Sequence, residues 1–79
     1  MARIIDTTDK NLIGPKVKEF RLKANMSQQD VSNKLETYAI YVCRGSISRI
    51  EDQSRTVTDI ELIGLSKVFH KSVNEFFQQ

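Results

Sequence analysis

From Ile13 onward, apolar residues recur at helical spacing, and polar residues with capping chemistry divide the pattern into short pieces. Ile13, Val17, Phe20 and Ala24 fall at i, i+4, i+7 and i+11, which is one face of a helix. Pro15 suits a first turn, where its missing N–H loses no partner. This helix is predicted to begin between Asn11 and Pro15, with Asn25 as its stop and Lys16, Lys18, Glu19 and Lys23 on its other faces. Ser27 is placed to cap a second helix, with Asp30 favoured in the first turn by the helix dipole and Val31 and Leu35 as its stripe. Beyond Leu35 two readings fit. Tyr38 and Val42 extend the stripe, or Tyr38, Ile40 and Val42 alternate as in an extended segment. Arg44-Gly45-Ser46 interrupts the pattern, and Ser46 is the expected cap of a third helix, about 46–53, with Ile47 and Ile50 turned inward. Residues 53–56 read as a loop. Thr58 with Glu61 and Ser72 with Glu75 have the spacing of capping boxes. They open a fourth helix striped by Leu62, Leu65, Val68 and Phe69, and a fifth carrying Val73, Phe76 and Phe77.

With no convincing strand, the expectation is an all-α fold of five short helices in one domain, residues 11–79. Residues 1–10 (MARIIDTTDK) show no helical stripe and form a tail or arm. The chain has 79 residues, room for one domain and too little for a doubly wound nucleotide-binding fold or a (β/α)₈ barrel. Hydrophobic residues make up 39% and charged residues 28%, with three Gly and one Pro. That is too apolar for a disordered chain and too poor in Gly and Pro for a loop-rich scaffold. A single Cys permits no internal disulfide, which favours a reducing, cytoplasmic setting. No apolar run is long enough to cross a membrane, and no signal-peptide core opens the chain.

Net charge is +2 and says little by itself. Its distribution adds something: residues 1–55 carry ten Lys/Arg against seven Asp/Glu, and residues 56–79 carry two against three. The basic first two-thirds is compatible with a nucleic-acid-binding face, but on charge alone an ordinary solvated surface is the better reading.

Three strings in order carry a family resemblance: Lys16-Val17-Lys18-Glu19-Phe20-Arg21, Met26-Ser27-Gln28-Gln29-Asp30-Val31, and Ser46-Ile47-Ser48-Arg49-Ile50-Glu51. Together with Leu62, Leu65, Ser66 and Phe69, then Val73 and Phe76, they resemble the phage-repressor-like (Cro/XRE-type) helix-turn-helix family over about residues 12–77. The resemblance implies a compact lambda-repressor-like domain. The segment between Leu35 and Ile47 is about five residues longer than the common family pattern and looks like a long-turn branch. Surface loops lengthen at small cost, so the insertion leaves the fold intact while altering the approach to the third helix.

What the resemblance implies about function is sequence-specific reading of double-stranded DNA by the third helix, whose exposed N-terminal side chains enter the major groove. Ser48 and Arg49 fall at positions that often contact bases. Ser46, also outward-facing, and Arg44, just before the expected cap, join them as base-contact candidates. Gln28 falls where the family binds a backbone phosphate at a helix N-terminus. Gln29, Ser54, Arg55 and Thr56 are further phosphate candidates. Arg21 and Glu51 are expected to pair and to lock the third helix against the first.

The partners implied are a palindromic operator and a second copy of the chain, with Phe76 and Phe77 as dimer candidates, one of the two able to close the core while the other is exposed and ready to pair. No enzyme is expected: there is no phosphate-binding glycine loop, no triad, and Ser46–Ser48 is a helix start rather than a nucleophile elbow. No cofactor or metal is expected either. His70 and Cys43 lie 27 residues apart without metal-ligand spacing; His70 reads as a turn residue and Cys43 as a small apolar filler. Two other readings use the same fold. One is a protein-interaction module, such as an antitoxin or transcription-bridging factor, served by the Tyr38–Val42 segment. The other is the DNA-binding head of a longer regulator.

Overall fold

The computed structural model describes residues 9–78. Among them the chain forms four α-helices and no strand: α1 (Gly14–Lys23), α2 (Gln28–Glu36), α3 (Arg44–Glu51) and α4 (Asp59–Phe69). The expected fifth helix is instead a 3₁₀ turn, Val73–Phe77. At its start the Ser72 N–H and hydroxyl donate to Glu75 Oε2 at 2.7 and 3.3 Å, and the Glu75 N–H donates to the Ser72 carbonyl at 3.1 Å. Yet Gln78 is already extended, and five residues are too few to offset the cost of nucleating an α-helix. Residues 1–8, with most of the expected arm, lie outside the described residues. The Lys10 N–H donates to the Gln53 carbonyl at 2.8 Å.

The core is built from the predicted stripes. Val17 of α1, Val31 and Leu35 of α2, Ile47 and Ile50 of α3, and Leu65 of α4 are fully buried. Phe76 is fully buried too and meets Phe20 edge-on, ring centroids 5.2 Å apart, while Phe69 tilts against Phe20 at 6.2 Å. The 3₁₀ turn thus closes the core through one aromatic anchor. Ala24 departs from its expected stripe and is exposed. It is the C-cap of α1, and Asn25 follows in the left-handed region with φ 55°, so the helical face ends one turn early.

Both remaining capping boxes form. Ser27 Oγ accepts the Asp30 N–H while Asp30 Oδ2 accepts the Ser27 N–H. Thr58 and Glu61 exchange the same pair of bonds. α4 ends at His70, a turn residue with φ 54°.

Candidate nucleic-acid interface

The approach to α3 is set by the long connection after α2. Tyr38, Ala39 and Ile40 donate backbone N–H groups to Leu35, Glu36 and Leu35, and Ala39 takes the left-handed conformation with φ 60°. The stripe therefore does not continue as a helix. Ile40 packs against the core and Val42 is buried, while Tyr41 between them is 78% exposed. With Val42 anchored, α3 starts at Arg44, two residues earlier than expected, and ends at Glu51. Cys43 is its N-cap, and the Ile47 N–H donates to the Cys43 carbonyl at 3.0 Å. Ser46 is not the cap. It sits inside the first turn, where its hydroxyl accepts from Arg49 Nη2 at 3.2 Å.

The inner side of α3 is fixed by a polar hub. Glu51 is buried, and its carboxylate accepts from Arg21 Nε at 2.6 Å, Arg21 Nη2 at 3.1 Å and Gln28 Nε2 at 3.1 Å. Arg21 also donates to the Met26 carbonyl at 3.0 Å, so one guanidinium ties α1, the α1–α2 turn and α3 together. The Glu51 carboxylate raises the pKa of the Arg21 guanidinium further. A buried pair of this kind is strongly destabilised when one partner is removed, because the other charge is stranded.

A second clamp has no local signature in the sequence. Asn11 Oδ1 accepts the Gly14 N–H at 2.8 Å, while its Nδ2 donates to the carbonyls of Ile50 at 3.1 Å and Arg55 at 2.7 Å. Gln53 Nε2 donates back to the Asn11 carbonyl at 3.0 Å. Gly14 lies so close to the end of α3 that a Cβ would collide with the Ile50 carbonyl oxygen. Asn11 and Gly14 read in sequence only as polar and small residues near a helix start. Their partners lie about forty residues away, and no local pattern encodes them.

The outward side of α3 presents Arg44, Gly45 and Arg49 exposed, with Ser46 and Ser48 half-buried. Among the described residues neither arginine takes part in a salt bridge. Arg49 does lie near enough to help lower the pKa of Asp52, below the larger effect of the Ser54 hydrogen bonds. No protein-family model matches the chain, and comparison with curated proteins finds no match.

Lys18, Gln28, Ser48, Glu51 and Asp52 line one shallow recess where α1, α2 and α3 meet. Gln28, a phosphate candidate, thus sits beside α3, with its side-chain amide already donating to Glu51. Gln29 is exposed and donates to Asn33 at 2.9 Å.

Arg55, a phosphate candidate, is already engaged within the chain. Its guanidinium forms a two-pronged pair with Glu61 at 2.8 and 2.9 Å and donates to the Thr56 carbonyl. The pair raises the pKa of Arg55 and lowers that of Glu61, chiefly through these hydrogen bonds. Arg55 therefore fixes the α3–α4 connection, and a phosphate would have to compete with an ideally placed carboxylate. Ser54 is turned toward Asp52, whose Oδ1 accepts from its hydroxyl at 2.5 Å. Thr56 is exposed.

Of the two C-terminal phenylalanines, Phe76 is the one that closes the core and so drops out as a dimer candidate, whereas Phe77 is half exposed. One further expectation is corrected. Cys43 is exposed rather than an apolar filler. Its sulfur lies 3.4 Å from Ser46 Oγ, and hydrogen bonding there holds the thiol below its ordinary pKa.

Proposed function

We propose that this chain is a sequence-specific double-stranded DNA-binding transcriptional regulator, a repressor of lambda-repressor-like architecture, reading the major groove with α3. The observation that carries the reading is the contrast between the two sides of one short helix. The inner side is immobilised by Ile47, Ile50 and the Arg21–Glu51–Gln28 hub. The outer side offers Arg44, Ser48 and Arg49 without salt-bridge partners among the described residues. A base-reading helix needs both properties, because bidentate Arg contacts discriminate only when the helix pose is fixed.

In the proposed complex Arg44 and Arg49 contact base edges, with Ser48 as a shorter-range partner. Ser46 orients Arg49 through the hydrogen bond it already accepts. Gln28 and Lys18, beside Ser48 in the recess, meet the backbone on the flank, with Gln29 adjacent. Two copies bind a palindromic operator with half-sites about one helical turn apart.

The test is selection from genomic fragments, followed by binding measurements at two salt concentrations. Specific binding that weakens steeply with salt is the expected result, because phosphate neutralisation releases counterions. No binding to any fragment, or binding indifferent to salt, contradicts the reading and directs attention to a protein partner.

A further inference from the structure

Of the seven large apolar residues exposed among the described residues, three come together. Ile60 is 65% exposed, Ile63 47% and Tyr38 39%, and the three line one groove between α4 and the turn after α2. Gly64 lies in the same groove. Ile40 and Leu35 pack so closely on Gly64 that a Cβ there would collide with them, which leaves Ile60 and Ile63 as the raised apolar ridge of the face. Asp59 and Lys67 bound it on α4, and among the described residues neither takes part in a salt bridge.

Asp59, Ile63 and Lys67 are spaced i, i+4, i+8, so they share one stripe of α4, with the two charges about 12 Å apart along the helix. We propose that this face binds a second copy of the chain about a two-fold axis through Ile63, with the two α4 helices antiparallel. In that arrangement Ile63 meets the partner's Ile63, and Asp59 meets the partner's Lys67 at both ends. The stripe is its own electrostatic complement, as an interface between identical surfaces requires. A second exposed apolar pair, Leu12 and Phe77, is flanked by Lys16 and Glu19, which already pair with each other at 3.5 Å, and Leu22 and Tyr41 are exposed outside both groups. The α4 groove includes no α3 residue, so both reading helices stay uncovered. The inference rests on the operator-binding reading only in explaining why two copies are needed.

Sedimentation velocity of the full chain without DNA, across a concentration series, tests it. The wild type is expected to show a monomer–dimer equilibrium. Ile63→Asp and, separately, Ile60→Asp are expected to weaken it by about a hundredfold or more, since each places two carboxylates in the apolar contact. Asp59→Lys is expected to weaken it about tenfold through two like-charge contacts, and adding Lys67→Asp to recover most of that loss. Circular dichroism melts confirm that each variant is folded. A wild type that stays monomeric overturns the proposal, as does a folded Ile63→Asp or Ile60→Asp variant that dimerises unchanged, or a charge swap without recovery. Because no DNA is present, failure here is distinct from failure of DNA reading, which fragment binding reports.

Discussion

Single residues in this protein are strained or committed in ways that simple substitutions expose. Ala39 holds a left-handed conformation that costs an L-residue with a Cβ about 1–2 kcal/mol. Its methyl group is exposed, so Ala39→Gly relieves strain without losing packing. Part of the gain is offset by the greater freedom of glycine in the unfolded chain. The net expectation is a stabilisation of about 0.5–1 kcal/mol, read as a melting temperature raised by a few degrees. An unchanged or lower value would show that Ala39 is not strained. Glu51 is the opposite case. Glu51→Ala leaves the partly buried Arg21 guanidinium without its carboxylate, at a cost of about 3 kcal/mol. Thermal melting is expected to drop far more than the sequence preference of DNA binding changes; unchanged melting would remove the hub from the account.

At the scale of elements, the helices are held by close backbone approach and by ion pairs that respond to pH. Gly14→Ala inserts a methyl group against the Ile50 carbonyl and is expected to cost about 1–3 kcal/mol by forcing α1 away from α3. A denaturant titration that leaves the unfolding midpoint in place would show that the contact is soft. The Arg55–Glu61 pair gives a pH dependence of known sign. The pKa of Glu61 is lowered in the folded state, first by the Arg55 hydrogen bonds. The pair therefore contributes stability above the ordinary glutamate pKa, about 4.3, and loses it as pH falls through the lowered value. Melting temperature is expected to fall on acidification, and Glu61→Gln to melt lower than wild type near neutrality while the two curves converge in acid. Parallel curves would contradict this role for the pair. The helical elements and their core stripes were legible in the sequence because period and capping chemistry are local. Ser27 with Asp30 and Thr58 with Glu61 announce helix starts within four residues. The true start of α3 was not legible, because it depends on Val42 reaching the core past a left-handed Ala39. The Asn11 clamp, the close approach at Gly14 and the Arg55–Glu61 pair were hidden for a related reason. A polar side chain names its chemistry but not its partner.

For the whole molecule, what matters is that one helix is fixed on its inner side and free on its outer side, while a separate face on α4 stays open for a second copy. No helix among the described residues is long and apolar enough to cross a membrane. With a net charge of only +2, any DNA affinity must come from where cations sit rather than from their total. Arg44, Arg49 and Lys18 are the groups placed to supply it. The most direct measurement is the affinity of wild type and Arg49→Ala for the best selected operator and for single-base variants of it, each at two salt concentrations. The wild type is predicted to bind one operator specifically, with affinity falling steeply as salt rises. Arg49→Ala is predicted to lose about 1–3 kcal/mol on that operator and to relax discrimination at one base position. An Arg49→Ala protein that keeps wild-type affinity and wild-type discrimination at every position would contradict the assignment of α3 as the reading helix.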